Sequence, residues 1–181
     1  KLQSSDIEAD DEFGWSVHID GYTCIVGAPY EDIDPSNHAA GAAYVFTRSG
    51  VTWTQQQKLT ESSRIVGNNF GYSVLVNKDT SIIGTPNKYI DLSNTNAGIT
   101  YIFERSEGTW TQQQKIQPID IEKNNYFGKS MAINGDNCII SSQGKSGCGA
   151  AYSFSLENWE NTLGGSHGGD DWIVDNGTTI G

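Results

Sequence analysis

The chain has 181 residues, of which 36% are hydrophobic and 18% charged, and its formal net charge is −11 at pH 7. Such an acidic chain repels the phosphate groups of nucleic acids and anionic lipids, so we expect no nucleic-acid partner. Its apolar runs are shorter than the roughly 18 residues of a membrane span, so we expect no membrane insertion. The hydrophobic content argues against a disordered chain, and the 21 glycines favour a turn-rich all-β fold.

The sequence repeats itself with a period of 57 residues. The hexapeptide WTQQQK occurs at residues 53–58 and again at residues 110–115. Phe13, Phe70 and Phe127, each followed by glycine, keep the same spacing. Because a repeat of this length is one structural unit, the period predicts four segments. These are a first unit at 1–57, a second at 58–114, a degenerate third at 115–156, and a glycine-rich connector with a partial fourth unit or terminal strand at 157–181.

Each unit contains the same succession of predicted elements. In the first unit an acidic lead-in at residues 10–12 precedes the Phe-Gly pair, and an alternating run follows it. A tight turn at Asp20 and Gly21 leads to a short apolar strand, and a long loop then leads to the aromatic strand AAYVF. Alternation with Asp-Gly or Asn-Gly turns is typical of antiparallel hairpins. We therefore predict that each unit is a four-stranded antiparallel meander.

The hexapeptide falls on the fourth and outermost strand of each predicted sheet. One edge of such a strand is unpaired, and Thr, Gln and Lys side chains solvate that edge and discourage other strands from adding to it. We predict that Trp53 and Trp110, the first residues of the two copies, cap the apolar layer beneath. A polar tract of low complexity would explain the glutamines but not their constant distance from the Phe-Gly pairs.

Two segments, FGWSVHIDGYTCIVGAP at residues 13–29 and FGYSVLVNKDTSIIGTP at residues 70–86, resemble the FG-GAP repeat. That repeat is named after its Phe-Gly and Gly-Ala-Pro ends. The third unit keeps Phe127 and its glycine, but has Ser-Ser-Gln at residues 141–143 where Gly-Ala-Pro would stand. The resemblance covers about residues 1–155.

This resemblance implies one β-propeller blade per repeat, as in the head of integrin α subunits and in other extracellular adhesion or surface proteins. A four-stranded sheet has two apolar faces and buries them against neighbouring blades. The phenylalanine of each Phe-Gly pair would wedge between blades, and the glycine would let the backbones approach closely. The expected blade-packing residues are Phe13, Gly14, Phe70, Gly71, Phe127, Gly128, Trp53 and Trp110.

Three repeats are too few for a closed propeller, which has about four to eight blades. Lys1 is equivalent to residues in the middle of the outer strand. The sequence therefore predicts incomplete blades that belong to a longer protein or are completed by another segment or chain. Residues 171–181 resemble the inner hairpin of a shortened fourth unit. The alternative is a terminal strand that crosses to a neighbouring molecule over a flexible segment at 157–170, which would build filaments.

Integrin-type members carry a calcium loop between the first two strands of a repeat. Here that place holds a turn of two or three residues at Asp20 and Gly21, too short to supply the six to eight oxygens that calcium needs. We therefore expect no metal and no other cofactor. Two groups of acidic residues are interpreted as solvated loops: Asp6, Glu8, Asp10, Asp11 and Glu12, and Glu31, Asp32 and Asp34.

The three cysteines are interpreted as free thiols. Cys24 and Cys138 hold the same position in the first and third units, where the second unit has Ser81, so that position favours a small, buried side chain. With a hairpin centred near residue 144, Cys138 faces about Ala151. Cys148 then lies about 10 Å away, too far for a disulfide bond.

Catalytic patterns are weak in this sequence. His18, His38 and His167 lie in unrelated contexts without the spacing of metal ligands, and no serine lies in a Gly-x-Ser-x-Gly motif. We expect no enzymatic activity, because the residues suggest no site from which one could be argued. Asn176, in the triplet Asn-Gly-Thr, is a glycosylation candidate for a secreted chain.

The sequence leaves three functions open. The leading hypothesis is a non-enzymatic extracellular binding or scaffold module of adhesion type, which presents its loops to a protein or glycan partner. The first alternative is a structural subunit of a surface filament or other homo-oligomer, completed by strand exchange between molecules. The second alternative is a hydrolase that uses paired carboxylates on a propeller scaffold.

Overall fold

The computed structural model describes residues 1–6, 8–32, 38–62, 66–91 and 93–156, together with the backbone of residues 172–175. These residues form three β-sheets that follow one another along the chain. The predicted all-β class, with antiparallel blades of an incomplete propeller, is confirmed. Within the described part of the chain, no helix is long and apolar enough to cross a membrane.

The first sheet comes from the first repeat. Its antiparallel strands are β1 (Ser16–Asp20), β2 (Thr23–Ala28), β3 (Ala42–Ser49) and β4 (Thr52–Leu59), and they lie side by side in chain order. All residues of β2 are buried, because this strand is central in the sheet and apolar on both faces.

The second sheet repeats this arrangement with β5 (Ser73–Asn77), β6 (Thr80–Thr85), β7 (Ile99–Ser106) and β8 (Thr109–Pro118). The pairing register is the same in both sheets. Ser16 pairs with Gly27 across β1 and β2, and the residues 57 positions later, Ser73 and Gly84, pair across β5 and β6. The repeat in sequence is thus a repeat in backbone geometry.

The third sheet contains β9 (Phe127–Asn134), β10 (Asn137–Ser142) and β11 (Ala150–Ser155), with β10 in the centre. A short 3-10 turn, Lys145–Gly147, lies in the loop between β10 and β11. Residues 157–171, which follow this sheet, lie outside the described residues. The described part of the third unit is therefore a three-stranded sheet.

A twelfth strand, β12 (Trp172–Asp175), lies parallel to β8 at the outer edge of the second sheet. The sequence likened residues 171–181 to the inner hairpin of a fourth unit or to a terminal strand, and the structure describes residues 172–175 of this stretch as a strand on the second sheet. These residues extend an existing sheet by pairing with residues 115–118 of β8, so the prediction that the polar outer strand discourages strand addition is wrong at this edge, where unpaired backbone groups remain.

The hydrophobic core lies between neighbouring sheets. We call the face of a sheet that is turned towards the preceding unit its leading face, and the opposite face its trailing face. The seam between units 1 and 2 contains Ile25, Val45, Phe70, Val76 and Tyr101. The seam between units 2 and 3 contains Leu75, Ile82, Ile102, Phe127 and Ile140. Each seam joins one trailing face to one leading face.

Candidate functional site

The phenylalanines of the three Phe-Gly pairs occupy equivalent places but differ in burial. Phe70 lies in the first seam and Phe127 in the second, and both are fully buried. Phe127 packs edge-on against Tyr152 of its own unit, with 5.8 Å between ring centroids. Phe13 makes the same contact with Tyr44 at 5.5 Å, yet it is only partly buried. The reason is that the described residues place no unit in front of unit 1.

Glycines let the backbones of neighbouring units touch at each seam. A Cβ atom built on Gly27 would overlap the carbonyl oxygen of Gly71, and one built on Gly84 would overlap that of Gly128. Gly14, which is equivalent to Gly71, has open space around it. The glycine in the Phe-Gly pair and the glycine at the end of the second strand therefore form one contact, made twice in this structure.

Hydrogen bonds join the two units of each seam. The hydroxyl groups on the first strands donate across the seam, from Ser16 Oγ to Gly71 O (2.9 Å) and from Ser73 Oγ to Gly128 O (2.6 Å). The backbone N–H groups of the buried phenylalanines donate in the reverse direction, from Phe70 to Ala40 O (3.0 Å) and from Phe127 to Ala97 O (2.9 Å). A seam is thus specified by polar contacts as well as by apolar packing.

The glutamines of the repeated hexapeptide join the outer strands of two units. Gln57 accepts a hydrogen bond from Trp110 N and donates one to Trp110 O, both at 2.8 Å. Gln56 donates to Gly108 O at 2.8 Å and accepts from Trp110 Nε1 at 3.1 Å. The sequence predicted only that these residues solvate the strand edge, because their inter-unit partners lie more than 50 residues away. Trp110 is buried, whereas Trp53 is partly buried on the open side of unit 1.

The leading face of unit 1 is apolar and open. Val17 and Ile19 are 67% and 60% exposed, whereas the equivalent Val74 and Val76 are 5% and 1% exposed in the first seam. A groove of about 440 Å³ lies on this face, lined mainly by apolar side chains that include Leu2, Val17, Ile19, Cys24, Val26 and Trp53. An open apolar surface of this kind marks an interaction surface.

The trailing face of unit 3 is more polar. Ser141 stands where units 1 and 2 have the seam glycine, and its hydroxyl accepts a hydrogen bond from Ser130 N at 2.9 Å. Ser153 stands where the earlier units have the buried Val45 and Ile102. Of the apolar residues buried on the equivalent faces, this face keeps Ile139, which is 46% exposed, and Ala151, the equivalent of Ala43.

An aromatic cluster lies at the end of the sheets from which the long loops leave. Trp15 directly precedes β1, and Tyr30 directly follows the Gly-Ala-Pro end of β2. The centroid of the Trp15 ring lies 5.9 Å from that of Tyr30. It lies 5.2 Å from that of Tyr72, the residue of unit 2 that is equivalent to Trp15. Trp15 and Tyr30 are 46% and 38% exposed. The sequence placed no function here, although the aromatic residue after each of the first two Phe-Gly pairs was a usable signal.

A buried ion pair anchors the long loop of unit 2. Lys88 Nζ lies 3.0 Å from Glu61 Oε2, and the same carboxylate accepts hydrogen bonds from Asn68 Nδ2 and from the Tyr101 hydroxyl. Burial, with Glu61 alongside, raises the pKa of the Tyr101 hydroxyl. The four side chains supply one another's hydrogen-bond and ion-pair partners in a place that water does not reach. The cluster therefore holds the loop against the lead-in that precedes Phe70.

In unit 1 the long loop is also held by an ion pair, but here the loop residue is acidic and its partner is a lysine. Glu31, the equivalent of Lys88, pairs with Lys58, which also contacts Asp6 at 2.6 Å. Burial raises the pKa of Glu31 despite its lysine partner. The pKa of Asp6 is lowered, because its ion pair with Lys58 outweighs the effect of burial.

Unit 3 has a more exposed version of the same anchor. Lys145 lies 3.2 Å from a carboxylate oxygen of Asp120 and 3.0 Å from one of Glu122. The Tyr152 hydroxyl donates to Asp120 at 2.8 Å. Together with Lys145, this contact lowers the pKa of Asp120 despite its partial burial.

The two acidic groups of the first unit meet at Lys58, which contacts Asp6 and Glu31. Their interpretation as solvated loops is wrong for Asp11 and Glu31, which are each only 3% exposed. Asp6 contacts Lys58, the Asp11 carboxylate accepts a hydrogen bond from Glu8 N at 2.7 Å, and Asp32 lies 2.7 Å from His38 Nδ1. Asp10 and Glu12 are at turn positions with positive φ, and Asp34 lies outside the described residues. Among the residues that the structure describes, no three His, Cys, Asp or Glu side chains converge as metal ligands do.

Two of the three histidines lie in the described part of the chain. Besides the contact of His38 with Asp32, His18 Nδ1 accepts a hydrogen bond from Val76 N at 3.2 Å across the first seam. His167 and the glycosylation candidate Asn176 lie outside the described residues.

All three cysteines are free, and one detail of their predicted surroundings is wrong. Cys24 and Cys138 are buried and Cys148 is exposed. Burial raises the pKa of Cys138 to about 12. Cys138 pairs with Phe154, not with Ala151, because the 3-10 turn lengthens the loop and moves the centre of the hairpin towards residue 146.

Comparison with protein families identifies the repeat. The family model described as FG-GAP repeat matches three consecutive segments, residues 1–46, 53–103 and 110–154. The matches end within the third strand of each unit, and the ends of the first two matches are 57 residues apart, as in the structural repeat. A search of curated proteins found no similar sequence.

Proposed function

Because the chain belongs to the FG-GAP repeat family, we propose that this propeller-like module is a non-enzymatic binding or scaffold module of adhesion type that acts outside the cell. The proposal rests chiefly on the aromatic cluster in which Trp15 and Tyr30 are exposed and Tyr72 is half-buried. Repeats of this family are common in extracellular proteins, which supports the location.

The aromatic cluster has the properties of a contact site. Tryptophan and tyrosine offer large apolar area with a polar atom at the tip, and they are enriched at the energetically important positions of interfaces. The cluster lies at the loop end of the sheets, where propeller-like scaffolds vary their surface without disturbing the core. We therefore assign a protein or glycan partner to this end of the molecule.

The experiment compares binding by the chain and by the double variant Trp15→Ala, Tyr30→Ala. Immobilised glycans and extracellular surface proteins serve as probes, and binding is read by surface plasmon resonance. We expect the double variant to lose at least about tenfold in affinity, because truncating an aromatic hot spot costs about 2 kcal/mol or more.

The matched control is Tyr22→Ala. Tyr22 is 68% exposed but lies in the tight turn between β1 and β2, at the opposite end of the sheet. Equal losses from the control and the double variant would contradict the assignment of the aromatic cluster. A glycosidase or phosphatase activity abolished by changing one carboxylate would overturn the non-enzymatic part of the proposal.

A further inference from the structure

The anchor of unit 1 buries more negative charge than the anchor of unit 2. In unit 2 the buried pair of Glu61 and Lys88 has one charge of each sign, and the lead-in adds only the neutral amide of Asn68. In unit 1 Asp11 stands in the place of Asn68. Glu31 stands in the place of Lys88, and both carboxyl groups are only 3% exposed. Two buried carboxyl groups therefore replace an amide and a lysine.

The one lysine in contact with these two carboxyl groups is shared. Lys58 Nζ lies 2.5 Å from Glu31 Oε1, and it also lies 2.6 Å from the carboxylate of Asp6. Among the residues that the structure describes, Glu31 Oε2 receives no hydrogen bond. Burial raises the pKa of Glu31 against the effect of Lys58, and the Asp11 carboxyl group, within hydrogen-bonding range, raises it further. Two carboxylates that meet away from water repel each other, so one of them retains a proton.

We propose that Asp11 and Glu31, which we call the acid pair, share one proton in the folded chain, and that release of this proton loosens the long loop of unit 1 around Tyr30. One carboxyl group of the acid pair donates its O–H to the carboxylate of the other, which closes the lead-in onto the loop. When the proton leaves to water, the two carboxylates repel each other, and the shared Lys58 is left to compensate three negative charges. The anchor is thus closed in acid and opens as the pH rises.

Two other titratable side chains lie close to the acid pair or in the same loop. Burial, with Glu31 alongside, raises the pKa of the Tyr44 hydroxyl, so Tyr44 stays protonated at neutral pH. His38 Nδ1 lies 2.7 Å from Asp32, and a histidine commonly changes its charge between about pH 5 and about pH 8. A pH response of this loop therefore requires a variant that removes the imidazole as a control.

The acid pair bears on the proposed contact site because Tyr30 directly precedes Glu31. Tyr30 packs edge-on against Trp15, with 5.9 Å between ring centroids, and movement of the loop alters this contact. We expect weaker binding by the aromatic cluster above the pH at which the acid pair loses its proton. This consequence rests on the proposed function, whereas the proton itself is measured without any partner.

The experiment follows hydrogen exchange of two equivalent backbone N–H groups in the complete chain. Gly41 N–H donates to Glu31 O at 3.0 Å, and Gly98 N–H donates to Lys88 O at 3.2 Å. From about pH 5 to about pH 8, we expect the protection factor of Gly41 to fall about tenfold relative to that of Gly98. Carbon-13 NMR of the side-chain carboxyl groups should show that the acid pair titrates as one coupled system.

Two variants of similar side-chain volume remove the shared proton. Glu31→Gln fixes one carboxyl group in a neutral form, and Asp11→Asn supplies the amide that unit 2 has at this position. We expect both variants to keep the protection factor of Gly41 constant over this pH range. The control, His38→Gln, should retain the full response of the unaltered chain, whose own titration does not depend on the folding of any variant.

Constant protection of Gly41 in the unaltered chain, or independent titration of the two carboxyl groups at ordinary values, overturns the proposal. Loss of the response in His38→Gln would assign it to the histidine, with the same result. A response that calcium suppresses and a chelator restores would show that a cation joins the acid pair in place of a proton, which also overturns the proposal. Failure of the aromatic cluster to bind any probe would leave these measurements unchanged, so the two proposals fail separately.

Discussion

Phe70 and Phe13 belong to the same motif, precede equivalent strands and touch equivalent aromatic rings. Phe70 is fully buried, whereas Phe13 is only partly buried. The difference arises from the neighbouring unit and not from the motif. Within one unit the Phe-Gly pair completes the leading face, and only a preceding sheet turns that face into core. A repeat of this type therefore has its own fold, but its stability depends on packing against a neighbouring repeat.

The largest expected effect separates these two phenylalanines directly. Phe70→Ala removes a fully buried ring from the first seam and should lower the free energy of unfolding by about 3–5 kcal/mol. Phe13→Ala removes a ring that water already reaches and should cost less than about 2 kcal/mol. Urea unfolding of both variants, followed by circular dichroism, measures the difference. Equal losses would show that burial in the seam does not set the contribution of this residue.

A second comparison addresses the close backbone approach. Gly27→Ala places a methyl group against the carbonyl of Gly71 and should destabilise the chain by about 1–3 kcal/mol, because the seam must open to accommodate it. Ser141→Gly changes the equivalent position on the free face of unit 3 and should cost less than about 1 kcal/mol. Thermal unfolding of the two variants checks this order. A loss from Ser141→Gly as large as that from Gly27→Ala would contradict it.

A third, smaller effect concerns the repeated hexapeptide. Gln56 bonds to Gly108 O and Trp110 Nε1 of the next unit, whereas the equivalent Gln113 is exposed and bonds to Thr111 of its own strand. Gln56→Ala should therefore cost about 1 kcal/mol, and Gln113→Ala about half of that or less. Urea unfolding of the matched pair measures it. If both variants lose the same amount, the inter-unit bonds do not contribute to stability.

The smallest effect is a change in pH dependence. The pKa of Asp120 is lower in the folded chain than its ordinary value of 3.8, because Tyr152 and Lys145 favour the carboxylate. Its contribution to stability is therefore present above that ordinary value and is lost as the pH falls through the lowered pKa. Asp120→Asn should flatten the acid side of the stability profile below about pH 5, measured by urea unfolding at a series of pH values. An unchanged slope would show that this anchor does not act through ionisation.

The repeat, the four-stranded meander and the all-β class could be predicted because they depend on local patterns. Alternation and tight turns are visible within one unit of 57 residues, and the Phe-Gly spacing is visible when two units are compared. The roles of Gln56 and Gln57 could not be predicted, since polar side chains on an outer strand look alike whether they bind water or Trp110. The position of β12 was equally hidden, because a four-residue parallel strand has no turn that fixes its neighbour.

The anchors of the long loops were hidden for a different reason. Glu31, Lys88 and Lys145 hold one position of the repeat with opposite charges, so a comparison of units suggests a variable surface residue. The structure shows that Glu31 and Lys88 pair with Lys58 and Glu61 of one segment, whereas Lys145 pairs with acidic residues that follow β8. A close approach such as that of Gly27 and Gly71 was more accessible, because glycine at a fixed strand position already indicates that something lies against the backbone.

The exchanged charges of the anchors also bear on how a chain of near-identical units avoids folding out of order. The lead-in of unit 2 carries Glu61, and its correct loop offers Lys88. If the lead-in slipped back by one repeat, it would meet Glu31, and two carboxylates would oppose each other in a place that water does not reach. Because a like-charge contact of this kind is costly, the charges at this position disfavour a slip of the unit 2 lead-in onto the loop of unit 1, whereas units 2 and 3 both carry lysine there and are not distinguished by it.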